Sequence, residues 1–135
     1  MFHEIDHIGM AVTDLESAIA SYRAQFDVAD WQIVELPERH MRVAYARIGG
    51  SAIELITPTG PAAAFSRFLA ERGPGMHHIA YRVHDLDATL AMLRQRGVRL
   101  IDDIGRPGLH GTRVAFIHPM AVAGVLTELV EHVAP

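Results

Sequence analysis

Residues 5–12 alternate with a period of two, which suits a strand. Ile8, Met10 and Val12 share one face of it, and His7, Gly9 and Ala11 share the other. The period then changes. Leu15, Ile19, Tyr22 and Phe26 fall at helical spacing on one face, and Asp14 stands where the first amides of a helix need an acceptor. Trp31–Leu36 and Met41–Ile48 read as strands, and Gly49-Gly50 as a hairpin turn into a third strand, Ala52–Thr57. Pro58-Thr59-Gly60-Pro61 is a turn, followed by a short helix near 62–72 that ends at Gly73-Pro74-Gly75. Phe65, Phe68 and Leu69 lie at helical spacing there and read as a packing face, against a second sheet or a dimer partner. A strand at 77–83 leads to a helix from Asp85 to about Arg96, with Leu86, Leu90 and Leu93 on one face and Gly97 at its end. Further strands are expected near 98–102, 112–118 and 124–131.

The two halves resemble each other. At an offset of 71 residues His7 meets His78, Ile8 meets Ile79, Val12 meets Val83, Asp14 meets Asp85 and Leu15 meets Leu86. Ala52-Ile53-Glu54-Leu55-Ile56 returns as Leu126-Thr127-Glu128-Leu129-Val130 at an offset of 74, a drift that one loop absorbs. The expected fold is therefore α+β: two tandem βαβββ modules forming a cupped mixed sheet around a metal site. Module one covers about 1–58, a linker helix about 59–75 and module two about 76–135, all in a single domain.

Composition narrows the function. Of 135 residues, half are apolar and 21% are charged, the balance of a soluble globular protein. Twelve basic against 16 acidic residues give a net charge of −4, which argues against a nucleic-acid partner. No apolar run approaches bilayer length, so no membrane partner is expected. Met1-Phe2-His3-Glu4 has neither the basic stretch nor the apolar run of a secretory signal, which leads us to expect a cytoplasmic protein. The absence of cysteine excludes disulfides, thiolate metal sites and cysteine nucleophiles. Metal chemistry would have to use the nine histidines with Asp and Glu.

Alternation places one His and one Glu per half on the face turned away from the helices. His7 lies opposite Ile8 and Met10, and His78 lies opposite Ile79 and Tyr81. Ile53 and Leu55 flank Glu54, as Thr127 and Leu129 flank Glu128. Taken singly, each of the four is an ordinary solvated or hydrogen-bonded residue. Together, in the order of the repeat, they make a ligand set for Co, Ni, Mn, Fe or Zn that is neutral with a divalent ion. His77 would turn the other way. Asp14 and Asp85 read as helix caps and Trp31 as a core or interface residue. Arg106, His110 and His118 fall at loops and strand ends, where they are either plain surface residues or contacts to a carboxylate or phosphate.

These residues resemble the vicinal-oxygen-chelate superfamily of glyoxalases, extradiol dioxygenases, fosfomycin-resistance proteins and methylmalonyl-CoA epimerases. The stretches IDHIGMAVTDLESAIASY, IELITPTGP, FLAERGPGMHHIAYRV and HGTRVAFIHP with GVLTELVE are most similar to the epimerases. The resemblance implies metal ligands at His7, Glu54, His78 and Glu128. It also implies a divalent ion with Co2+ favoured and Ni2+, Mn2+ or Zn2+ accepted, a small-molecule acyl-CoA substrate and a homodimer. The implied reaction interconverts (R)- and (S)-methylmalonyl-CoA through a metal-stabilised enolate. Glu128 is the favoured base and Glu54 the second.

Two departures bear on this. Some epimerases carry a separate glutamate on the strand before the second ligand, where this chain has Val43. After Pro119 the Lys-Ser-Thr-Gly-like segment of epimerases is Met120-Ala121-Val122-Ala123, an apolar replacement that bears on which acyl group is accepted. The same ligand set suits a glyoxalase I-like lactoylglutathione lyase or another isomerase of the superfamily, and a non-enzymatic small-molecule-binding member is the reading outside enzymes.

Overall fold

The computed structural model describes residues 1–133 of the chain. Eight strands and three α-helices alternate as β1 (Glu4–Ala11), α1 (Leu15–Phe26), β2 (Gln32–Leu36), β3 (Met41–Ile48), β4 (Ser51–Pro58), α2 (Ser66–Arg72), β5 (Gly75–Arg82), α3 (Leu86–Gln95), β6 (Arg106–Pro107), β7 (Thr112–Ile117) and β8 (Thr127–His132). Hydrogen bonding orders the strands β2-β3-β4-β1-β5-β8-β7-β6. The β5/β8 pair is parallel, whereas β2/β3, β3/β4, β6/β7 and β7/β8 are antiparallel, so the sheet is mixed and the class is α+β. Contacts divide the chain into two units, and the division cuts β1 itself. One unit comprises Met1–His7 with the chain from His78 onward, and the other comprises Ile8–His77.

In the unit Ile8–His77, α1 starts because the Asp14 carboxylate accepts the Ser17 amide at 2.9 Å, replacing one of the helical bonds missing at that end. Asp27 stops it in the left-handed region, with φ 57°. Leu15 and Ile19 bury themselves against Ala44 and Leu55, with half-buried Met10, Val12, Tyr22, Trp31 and Ile53 around them. The expected faces of the first strand and of the Glu54 strand therefore hold, and Trp31 is a core residue whose indole N–H goes to the Val28 carbonyl. Phe26 departs from expectation. As the last residue of α1 it meets Tyr22 edge-on at 5.9 Å but stays largely exposed. The helix expected near 62–72 is shorter and begins at Ser66, whose hydroxyl donates to the Gly60 carbonyl.

The other unit repeats the scheme. Asp85 accepts the Ala88 amide at 3.0 Å, and α3 sends Leu86, Leu90 and Leu93 against Val83, Ala115, Ile117 and Leu129. Burying each such leucine contributes roughly 1.5–3 kcal/mol. The strand expected near 98–102 does not form. Leu100 makes one bridge to Ile117, and both Ile101 N–H and Asp102 N–H donate to the Phe116 carbonyl. The Asp102 carboxylate takes the Phe116 amide at 2.8 Å, so a side chain occupies the place of a ladder partner. The short β6 pairs with β7 instead. The last strand begins at Thr127, not at 124, because Ala123 and Gly124 both sit at positive φ in a turn.

Candidate metal centre

Strands β1, β5 and β8 lie side by side, which sets His7, His78 and Glu128 within one unit. Their common face is lined by small apolar side chains. Ala80, opposite Glu128 in the β5/β8 register, is fully buried with Val114 and Val130. Leu129 turns the other way, to α3. Strict alternation therefore delivers the acid to one face and its apolar neighbour to the other.

Three donor atoms converge there. His7 Nε2 and His78 Nε2 are 3.2 Å apart. Glu128 Oε2 is 3.3 Å from the first and 3.2 Å from the second. All three residues are buried. Metal–ligand bonds of about 2.1 Å set near right angles hold their donors about 3 Å apart, so this triangle fits a divalent transition ion. Burial alone would raise the Glu128 carboxyl, but hydrogen bonds from His7 and His78 overcome it and hold the group down at about 2. Glu128 is therefore a carboxylate, the form a metal ligand requires.

Behind His7 stands Asp6, a residue that the alternation argument did not single out. Its Oδ2 lies 2.7 Å from His7 Nδ1, and its Oδ1 accepts from Arg82 Nη2 at 2.9 Å and meets His132 Nε2 at 2.6 Å. Burial pushes its carboxyl up, yet the donors from His7, His132 and Arg82 outweigh that and keep it well below the usual range. The signal in the sequence was an acid on the helix-packed face of an apolar strand.

Glu54 belongs to the other unit. It is half-buried on β4, opposite Tyr45 of β3, on the face away from α1. Val43 and Ile56 pair on that same face, and Val43 is fully buried, so the position where some epimerases carry a second acid is a core position here.

The remaining candidates find other work. His77 turns away from His78, and its ring meets Phe65 at 5.8 Å and Phe68 at 5.1 Å. That is the packing the linker-helix aromatics find. His118 accepts the Met120 amide through Nδ1 at 3.1 Å and so caps the turn Pro119–Ala121. His110 sits in the left-handed region at φ 54°. Arg106 lies over the Phe116 ring at 5.5 Å, and Phe116 meets His78 edge-on at 5.7 Å, which puts a half-exposed guanidinium two side chains from the donor triangle. No helix among the described residues is long and apolar enough to cross a membrane.

The loop after Pro119 carries a backbone cost. Ala123 adopts φ 56°, a region that a residue with a Cβ enters at about 1 kcal/mol. We expect Ala123→Gly to stabilise the protein by about 0.5–1 kcal/mol, read as a rise in thermal midpoint, whereas Ala121→Gly, in the short helical turn, gives no such gain.

A family model described as the Glyoxalase/Bleomycin resistance protein/Dioxygenase superfamily matches residues 6–116. The chain is 33% identical to the mitochondrial methylmalonyl-CoA epimerase of Mus musculus over 126 residues, which are 93% of this chain and 71% of that one. It is 35% identical to the ethylmalonyl-CoA/methylmalonyl-CoA epimerase of Cereibacter sphaeroides, over 96% of this chain and 98% of that one. A solved methylmalonyl-CoA epimerase in complex with methylmalonyl-CoA and NH4+ superposes with a TM-score of 0.93 at 38% identity, covering 99% of this chain and 97% of that one.

Proposed function

The chain belongs to the Glyoxalase/Bleomycin resistance protein/Dioxygenase superfamily, and from that premise we propose that it is a metal-dependent epimerase interconverting (R)- and (S)-methylmalonyl-CoA. The observation that carries the proposal is the triangle of His7 Nε2, His78 Nε2 and Glu128 Oε2, with donors 3.2–3.3 Å apart. Similarity to epimerases over 93–99% of this chain, at 33–38% identity, supports the reaction class. In this reading Glu54 completes the ligand set. Two imidazoles and two carboxylates with a divalent ion are neutral overall, and Co2+ is the favoured ion ahead of Ni2+, Mn2+ or Zn2+.

The reaction takes a weakly acidic proton from the carbon between a thioester and a carboxylate and returns one to the opposite face. A divalent ion in the centre supplies Lewis-acid stabilisation of the negative charge that develops on the thioester oxygen. Glu128 accepts the C2 proton on one face, and Glu54, in the protonated state in which it does not serve as a ligand, delivers a proton to the other. The reverse reaction exchanges their roles. Glu128 is a weak base while both imidazoles hydrogen-bond to it. Ala80, Val114 and Val130 beside it exclude water from the proton path. A homodimer in the cytoplasm is part of the same reading, and the near-complete match to the enzyme of Cereibacter sphaeroides supports the location.

Stripping the protein with a chelator is expected to lower the rate of methylmalonyl-CoA epimerisation by at least about 100-fold, and added Co2+ to restore it. A thoroughly stripped protein that keeps its full rate would overturn the metal-dependent reading.

A further inference from the structure

We propose that Asp6 is the positioning residue of the metal centre: one carboxylate oxygen fixes the His7 ring for ligation while the other is tied down by Arg82 and His132. The proposal rests on the reading that His7 is a metal ligand.

Neighbours on a strand point to opposite faces, so Asp6 and His7 are not placed by their sequence positions to touch. The Asp6 carboxylate nevertheless reaches His7 Nδ1 at 2.7 Å. It divides its two oxygens cleanly. Oδ1 takes Arg82 Nε at 3.1 Å, Arg82 Nη2 at 2.9 Å and His132 Nε2 at 2.6 Å. Oδ2 turns to His7. A plain ion pair with Arg82 would be satisfied by the guanidinium alone, in the usual two-oxygen fork. Here the fork is declined. The guanidinium binds one oxygen, and its Nη1 goes to Glu4 at 3.0 Å. The carboxylate is thereby rotated and held with its second oxygen aimed at the imidazole.

The chemical consequence concerns the His7 tautomer. With acceptor bonds on both oxygens, Asp6 carries no proton, so Nδ1 of His7 donates. A ring that gives up the Nε2 proton it donates to Glu128 keeps its Nδ1–H toward Asp6 and presents a bare lone pair at Nε2. That Nε2 is the atom 3.2 Å from His78 Nε2 and 3.3 Å from Glu128 Oε2. Asp6 thus selects the ligating tautomer, fixes the ring plane and makes Nε2 a better donor. Outer carboxylate partners of metal-bound histidines act in this way, and their loss typically lowers metal affinity about 10–100-fold. His132 is exposed, at the outer end of the chain of contacts, and anchors Asp6 from β8.

Two readouts test this. In the metal-free protein, at a pH where the ring is neutral, ¹⁵N NMR of His7 is expected to report the Nδ1–H tautomer. Asp6→Ala is expected to shift His7 toward the Nε2–H tautomer and to weaken Co2+ binding about 10–100-fold in chelator competition. Asp6→Asn, which keeps an acceptor without the charge, is expected to fall between Asp6→Ala and wild type. If Asp6→Ala does not fold, Asp6→Asn decides: a several-fold loss of Co2+ affinity supports the assignment, and wild-type affinity overturns it. A folded Asp6→Ala protein with wild-type affinity and an unchanged His7 tautomer overturns it outright. A wild-type protein that takes up no Co2+ overturns the metal reading instead, and the tautomer comparison still decides whether Asp6 sets His7.

Discussion

Glu128→Gln is expected to lower epimerisation by about 10²–10⁴-fold at saturating Co2+, the range that a positioned general base contributes. The substitution keeps the size and planarity of the side chain and removes its charge and its ability to accept the C2 proton. The amide is also a poorer ligand, so Co2+ binding weakens, and the rate has to be compared at saturation of both proteins. The metal-free proteins supply an internal check. The Glu128 carboxyl lies at about 2 in the folded protein against an ordinary 4.5. A depressed carboxyl stabilises the fold above its ordinary value, and that contribution is lost as the pH falls from about 4.5 toward 2. Metal-free wild type therefore loses stability over that window, and Glu128→Gln flattens this part of the acid limb. A folded, Co2+-loaded Gln variant with an undiminished rate would remove Glu128 from the chemistry.

His78→Ala is expected to have the largest effect on the metal itself. It deletes one corner of a triangle whose sides are 3.2–3.3 Å. Loss of Co2+ affinity should exceed the 10–100-fold that follows loss of an outer partner, and epimerisation should disappear with the metal. The adjacent His77→Ala is the matched control. That ring contacts Phe65 and Phe68 at 5.8 and 5.1 Å, so its removal costs packing and leaves Co2+ affinity within a few-fold of wild type. Equal metal affinity in the two variants, measured by chelator competition, would contradict the assignment of His78.

The centre was legible where local rules suffice. Period-two alternation put His7, His78 and Glu128 opposite the residues that pack on helices, and the internal repeat marked these three and Glu54 out among nine histidines and 16 acids. Asp14 and Asp85 announced both helix starts, because a cap is a local hydrogen bond. Asp6 was hidden because its partners are non-local. Arg82 lies 76 residues away and His132 lies 126 residues away, and no periodicity reports such a contact. The missing strand near 98–102 had a similar cause. Its apolar residues look like a strand, but the Asp102 side chain takes the Phe116 amide that a ladder partner would have used. The linker helix came out short because no side chain caps it at Phe65. The grouping of Met1–His7 with the second half was also not local, since β1 is shared between the two units and each segment of it bonds to a different partner. His3 N–H, just before the strand, donates to the Arg82 carbonyl, and Val12 N–H, just past it, donates to the Ile56 carbonyl.

The apolar run Met120-Ala121-Val122-Ala123 leaves the acyl group as the point on which this chain can differ from its relatives. Met120 is largely exposed, and the turn that carries it is held by the His118 imidazole and not by a basic side chain. The acyl group is therefore the property to vary, and 2-alkylmalonyl thioesters belong in the same assay as methylmalonyl-CoA.

Exchange of the C2 hydrogen is the most direct test of the central claim. The Co2+-loaded protein is mixed with methylmalonyl-CoA in heavy water, and the C2 hydrogen signal is followed by NMR. The account expects fast loss of that signal, abolished by chelation and restored by Co2+. A persistent signal, in protein shown to hold its metal, would contradict enolate chemistry on this substrate.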